Sequence, residues 1–245
     1  MLTVQRGPMT GLVGLLGLLG VLAAAVGLHA AGWGVGIACG VTTSAALGRG
    51  LTRHGLDRLG PADRVTLARG TLACGVAALT ADSFGHPAPV PALVGMTVVA
   101  LVLDGVDGAV ARRTGTASRL GARFDMEVDA FLILILSVYV ARSAGAWVLA
   151  IGAARYALLL AGSPLPWLRR TAPRRPWCKV VAAVQGVVLT GAAAAVAPRA
   201  VTDAALGVAL ALLGESFGRE AWWLWRHRDA DAVEVLVESV PTCVR

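Results

Sequence analysis

Apolar runs alternate with short polar breaks along almost the whole chain. Residues 10–48 form an apolar stretch too long for one span and are interrupted at His29-Ala30-Ala31-Gly32-Trp33. That break predicts two helices, over 10–28 and 32–48, each near the roughly 20 residues a bilayer needs. Apolar sequence resumes at once after Ala31, which favours an uncleaved hairpin over a cleaved leader. Glycines at 11, 14, 17 and 20 suit close packing of the first helix. The connector from Arg49 to Arg64 carries Arg49, Arg53, Arg58 and Arg64 and predicts a short amphipathic helix on the membrane surface. Six further helices are predicted over 65–83, 90–112, 119–141, 146–162, 179–197 and 201–224. Trp222, Trp223 and Trp225 form an interface belt at the end of the last one. The expected fold is all-α, a polytopic membrane helix bundle. Its parts are an N-terminal hairpin (1–48), a core with its connector (49–228) and a tail (229–245).

Composition agrees with a membrane protein: 56% of residues are hydrophobic and 15% charged, and the mean hydropathy is +0.70. A net charge of +7 would suit a nucleic-acid partner, but no basic and aromatic residues interleave, so none is expected. The basic residues lie instead between apolar runs. The loops at 49–64, 112–119 and 163–179 and the tail are basic, whereas those at 29–32, 84–89, 142–145 and 198–201 carry at most one arginine each. This alternation over eight spans predicts both termini in the cytoplasm of a bacterial-type cell. His86, beside Pro87, reads as a solvated loop residue. Cys39, Cys74, Cys178 and Cys243 show no metal or redox spacing.

One polar feature does not fit a plain bundle. Asp104, Asp107, Asp125 and Asp129 stand in otherwise apolar sequence, the first pair three apart and the second four apart, so each pair shares a helix face. If residues 113–118 turn an antiparallel hairpin, Asp107 faces Asp125 and Asp104 faces Asp129. Gly108, Ala111 and Gly121 leave the wall beside them without bulk, and Arg112 adds a planar donor suited to phosphate. Four acids in a membrane repel one another unless cations neutralise them. An all-oxygen set favours Mg2+ or Mn2+, with room for two ions. The arrangement describes a pyrophosphate site; a divalent-cation transporter is the alternative, though it has no use for an arginine beside the acids.

These residues fit D-x2-D-G-x2-A-R-x8-G-x3-D-x3-D without a gap. The pattern resembles the signature of the CDP-alcohol phosphatidyltransferases, integral membrane enzymes of phospholipid synthesis. A looser likeness precedes it: Pro61-Ala62-Asp63-Arg64-Val65-Thr66-Leu67-Ala68-Arg69 is similar to the family's Pro-Asn-x-x-Thr-x-x-Arg, with Asp63 suited to an N-cap. The resemblance implies a six-helix core, homodimers, and transfer from a CDP-linked lipid, CDP-diacylglycerol being expected, to a small polar alcohol. It assigns metal binding to Asp104, Asp107, Asp125 and Asp129, and the CDP-lipid to Thr66, Gly108, Ala111, Arg112 and Gly121. Asp129 is the expected general base. Arg155 and Lys179, charged residues in apolar helices, are candidates to bind a phosphate on the acceptor, such as glycerol 3-phosphate or inositol phosphate. Structural alternatives are an Arg155–Glu215 pair, and Lys179 and Arg219 reaching to the interface. Arg123 and Glu127 are expected to pair locally.

Overall fold

The computed structural model describes residues 6–53, 60–114, 119–165, 167 and 176–227; the side chains of 6–8, 107–114, 119 and 176 lie outside that description. Within it the chain is all-helical. Helices α1 (Arg6–Val26) and α2 (Ala30–Arg53) form the N-terminal hairpin. Then come α3 (Pro61–Asp82), α4 (Val90–Thr114) and α5 (Arg119–Ala144). A short 3-10 turn (Ala146–Val148) leads into α6 (Leu149–Ala161), followed by α7 (Pro176–Ala193) and α8 (Arg199–Arg226). All eight expected helices are present. The connector expected over 49–64 is shared out: Arg49 and Arg53 belong to α2 and Arg64 to α3, while Arg58 and the tail beyond 227 lie outside the described residues.

The bundle is built round α3, which packs against α1, α2, α4 and α5. Small residues in its middle (Ala73, Cys74, Gly75, Ala77 and Ala78) let four helices approach one axis, and all are buried. Its central position also explains why α3 is less apolar than its neighbours. It faces protein rather than lipid, so it can carry polar groups that a lipid-facing helix could not. Large apolar side chains are displayed outward instead, among them Val13, Val21, Val98, Val102, Leu160, Val187 and Val208. Among the described residues α1, α2 and α8 are long and apolar enough to cross a membrane on their own. The chain is an integral membrane helix bundle.

The glycines that bring the hairpin together are not those of α1. Around Gly14, Gly17 and Gly20 there is open space, and only Gly11 of that series meets a neighbour, Leu67. Close approach falls to Gly32, Gly36 and Gly40 of α2, where an added Cβ would strike Leu28, Leu19 and Leu15 respectively. The reason is helical phase. A step of three residues turns back by roughly 60°, so three steps carry a glycine to the opposite face, whereas a step of four advances by only about 40°.

The start of α3 also differs from expectation in detail. Gly60 is the N-cap and Pro61 opens the helix, where its missing N–H costs nothing. Asp63 therefore stands at the third helical position, and its carboxylate accepts the Gly60 N–H at 3.0 Å. It closes the first turn from inside rather than capping it.

Candidate functional site

Two of the four aspartates project from α5 one turn apart, and Asp104 meets them from α4. Asp104, Asp125 and Asp129 each offer a carboxylate oxygen within 4.8 Å of the others. The antiparallel pairing read from the sequence thus brings these three together. Asp107, Gly108, Ala111 and Arg112 continue α4 by one to two turns; their side chains lie outside the described residues. Gly121 is half-buried one turn before Asp125 on α5. Thr66 is buried on α3, its hydroxyl donating to the Ala62 carbonyl at 3.2 Å.

The group holding the acids in place is Arg69, whose side chain is completely buried. It reaches them from α3, one turn after Thr66. Its Nε donates to the Ala100 carbonyl at 3.2 Å, and Nη2 lies 2.9 Å from Asp104 Oδ1. Nη1 also donates to Asp125 Oδ1, and Nη2 to Asp129 Oδ1. A planar guanidinium suits this task, since its five N–H groups fan out in fixed directions. The sequence reading missed Arg69 as a partner of the acids. The available signal was its match to the final arginine of the Pro-Asn-x-x-Thr-x-x-Arg pattern.

Apolar packing supports the constellation from behind. Leu47 and Leu51 of α2, Leu67 of α3, and Phe124 and Val128 of α5 form a small buried cluster, with Leu120 packed against it. Phe124 and Val128 each precede one of the α5 aspartates, so the cluster fixes the rotation of α5 that aims Asp125 and Asp129 at Arg69. At Gly50 an added Cβ would meet the Leu120 side chain at 2.6 Å.

Arg155 lies elsewhere. Its Nη2 donates to Glu127 Oε1 at 2.7 Å, and Nη1 contacts the Met126 sulfur at 2.9 Å. Glu127 is two residues from both Asp125 and Asp129, hence roughly 160° round α5 from each. The alternative of an Arg155–Glu215 pair and the expected Arg123–Glu127 pairing are therefore corrected. Glu127 lies on the α6 side of α5, and α6 approaches closely because Gly152 presents no side chain to the Leu134 backbone, where an added Cβ would come within 2.6 Å of Leu134 Cα. Glu215 instead accepts from Arg219 at 2.6 Å and from the Trp177 indole at 3.0 Å. Lys179 is exposed near the start of α7.

The described side chains fit a hard divalent cation. Their donors are all carboxylate oxygens, the ligand type such an ion prefers. Comparison with known families decides what such a centre belongs to. The family model of the CDP-alcohol phosphatidyltransferases matches residues 61–214, more than half of the chain. The chain belongs to this family. It is accordingly a transferase of substituted phosphate groups, acting on a CDP-linked alcohol, in a family that uses divalent metals. The match begins at the first residue of α3 and ends inside α8, so the α1–α2 hairpin precedes the family core. No individual characterised protein and no solved structure gave a significant match.

Proposed function

We propose that the chain transfers a phosphatidyl group from CDP-diacylglycerol to the hydroxyl of a small phosphorylated alcohol, glycerol 3-phosphate or inositol phosphate, releasing CMP. The observation that carries this reading is the convergence of Asp104, Asp125 and Asp129 on buried Arg69, within a chain that belongs to the family. Asp107, beside them on α4, is proposed to complete a site for one or two Mg2+ or Mn2+ ions. Bound there, a divalent ion would neutralise the negative charge of the pyrophosphate and of the departing nucleotide. Gly108, Ala111 and Gly121 leave space for the CDP group, Thr66 lines its approach, and Arg112 donates to phosphate oxygens. Asp129 accepts the proton of the acceptor hydroxyl as its oxygen bonds to the lipid phosphorus. The bond from that phosphorus to CMP breaks, and its electron pair leaves on the CMP oxygen. Asp129 Oδ1 is engaged by Arg69, so Oδ2 is the atom assigned to the proton. Enzyme membership removes the cation-transporter alternative.

Purified protein supplied with Mg2+ and CDP-diacylglycerol is expected to release CMP only when the right alcohol is added. The panel is glycerol 3-phosphate, inositol phosphate, inositol, serine and phosphatidylglycerol. Excess chelator is expected to abolish release, and Mg2+ or Mn2+ to restore it. Full turnover in chelator would remove the metal role, and turnover with serine alone would remove the phosphorylated acceptor.

Arg155 and Lys179 are proposed to hold the acceptor phosphate, Arg155 exchanging Glu127 for it. Arg155→Gln is then expected to raise the apparent acceptor KM about ten- to a hundredfold, the worth of one charge-assisted bond, without weakening CDP-lipid binding. If the variant instead unfolds and Glu127→Gln restores it, Arg155 is structural.

The basic loops support an orientation with both termini and the acid cluster on the cytoplasmic side, and we take a homodimer as the assembly. Gly60→Cys is expected to react with an impermeant thiol reagent only in inverted vesicles. Labelling from the outer face of intact cells would overturn the topology.

A further inference from the structure

The N-terminal hairpin precedes the stretch matched by the family model, yet it is fastened to the family core at both of its ends. One anchor is remote from the acids, about 20 Å along α3 from Arg69. There His29 in the α1–α2 turn and His86 in the turn before α4 stack, with ring centroids 3.4 Å apart and planes 5° from parallel. As Nδ1–H tautomers both face the buried Asp82 carboxylate, His29 at 3.1 Å from Oδ2 and His86 at 3.5 Å from Oδ1. The His29 backbone N–H also donates to Oδ1 at 3.2 Å. These contacts tie the turn of the hairpin to the last turn of α3.

From that anchor α2 runs antiparallel to α3 toward the acids. Gly32 and Gly36 lie against Ala78, where an added Cβ would come within 3.0 Å of the Ala78 carbonyl oxygen and 3.2 Å of its Cβ respectively. Further along, Thr43 reaches the level of Gly70, the residue after Arg69. A Cβ added at Gly70 would lie 3.9 Å from Thr43, 3.9 Å from Phe124 and 3.5 Å from Val128. Having no side chain, Gly70 lets α2 and α5 close over α3 beside the guanidinium.

The last turns of α2 complete this contact. Leu47 and Leu51 are buried with Leu67, Phe124 and Val128, while Arg49 and Arg53 stay exposed. The end of α2 is thus amphipathic, with its apolar face laid across α3 and α5. Successive residues of a helix lie roughly 100° apart. Phe124 and Val128 therefore form the flank next to Asp125 and Asp129, and Leu67 belongs to the same turn of α3 as Arg69.

Two helices packed as a pair keep some freedom to roll and slide past one another, and a third seated across both removes it. Here α3 supplies the guanidinium and α5 two of the acids. Rolling of α5 against α3 is accordingly the motion that would alter the spacing of Arg69, Asp125 and Asp129. A metal centre needs its ligands held to within about 0.5 Å, a tolerance that leaves no room for such rolling.

We propose that Leu47 and Leu51 are positioning residues for the metal centre: through them the hairpin sets the roll of α5 against α3, and with it the spacing of Asp125 and Asp129. This role presupposes that the acids hold a divalent ion, and it is independent of the identity of the alcohol substrate. It makes the hairpin a working part of the transferase and more than a membrane anchor. Both leucines precede the stretch matched by the family model, so the device lies outside the family core.

The test is the Mn2+ affinity of the full chain in detergent, read by electron paramagnetic resonance well below the melting temperature and without substrate. Leu47→Ala/Leu51→Ala is compared with Leu15→Ala/Leu19→Ala, which removes the same atoms from similarly buried positions on α1. Leu15 and Leu19 belong to the main core and pack on Gly40 and Gly36 of α2, away from the acids. Both variants are expected to lose melting temperature. Only Leu47→Ala/Leu51→Ala is expected to bind Mn2+ about tenfold more weakly, and the volume-conserving Leu47→Met/Leu51→Met to recover most of that affinity. If the double variant does not fold, Leu51→Ala is read against Leu19→Ala in the same way. Wild-type affinity in Leu47→Ala/Leu51→Ala, or an equal loss in the α1 variant, would overturn the positioning role and leave the metal reading of the acids intact. A wild type that binds no Mn2+ would instead remove that reading, and this role with it.

Discussion

Arg69→Gln is expected to destabilise the protein by about 1–3 kcal/mol when divalent ions are chelated, because it removes the buried cation that three half-exposed carboxylates share. The completely buried guanidinium is shared by Asp104, Asp125 and Asp129 and is also tied to the Ala100 carbonyl. It joins three helices at one point, so its loss acts on packing and on charge together. Saturating Mg2+ is expected to recover part of the loss, since an ion among the carboxylates replaces the missing positive charge. Arg69→Lys keeps the charge on a single ammonium, which cannot reproduce the planar fan of donors, and is expected to fall between the two. Thermal unfolding in detergent, with chelator and with Mg2+, measures all of this. A glutamine variant as stable as wild type in chelator would mean that the acids do not depend on Arg69 for compensation.

How far the sequence led depends on the range over which each feature is encoded. The meeting of Asp104 with Asp125 and Asp129 was legible because helix period and a short turn determine it, and both lie within one stretch of chain. Arg69 was harder: its partners are 35 to 60 residues away, and no local spacing announces which helix will lie against the acids. Glu127 and Arg155 show the same limit, their pairing being set by the closeness of α5 and α6 at Gly152. His86 looked like an isolated loop residue because half of its company, His29, comes from a turn more than fifty residues earlier. The α1 glycines misled for another reason. Their abundance was plain, but a three-residue spacing rotates round the helix, and the four-residue series in α2 was the one in phase with the interface.

Asp129→Asn is expected to reduce turnover by about 10²–10⁴-fold, the usual contribution of a positioned general base. The substitution is nearly isosteric, and the amide oxygen can still accept from Arg69 where Oδ1 does now. What it replaces is Oδ2, the atom assigned to the proton of the acceptor hydroxyl. An amide nitrogen there has no lone pair to offer, so the hydroxyl must attack with its proton still attached. CDP-lipid affinity is therefore expected to remain near the wild-type value while the rate collapses. Asp107→Asn, by contrast, is expected to lose metal affinity and activity together, as a ligand would. Equilibrium binding of Mn2+ and of a CDP-lipid, measured apart from CMP release, separates the two behaviours. If Asp129→Asn loses metal binding in proportion to its rate, Asp129 acts as a ligand and the base must be sought elsewhere. If it keeps both metal and turnover, Asp129 is neither, and its bond to Arg69 is its whole contribution.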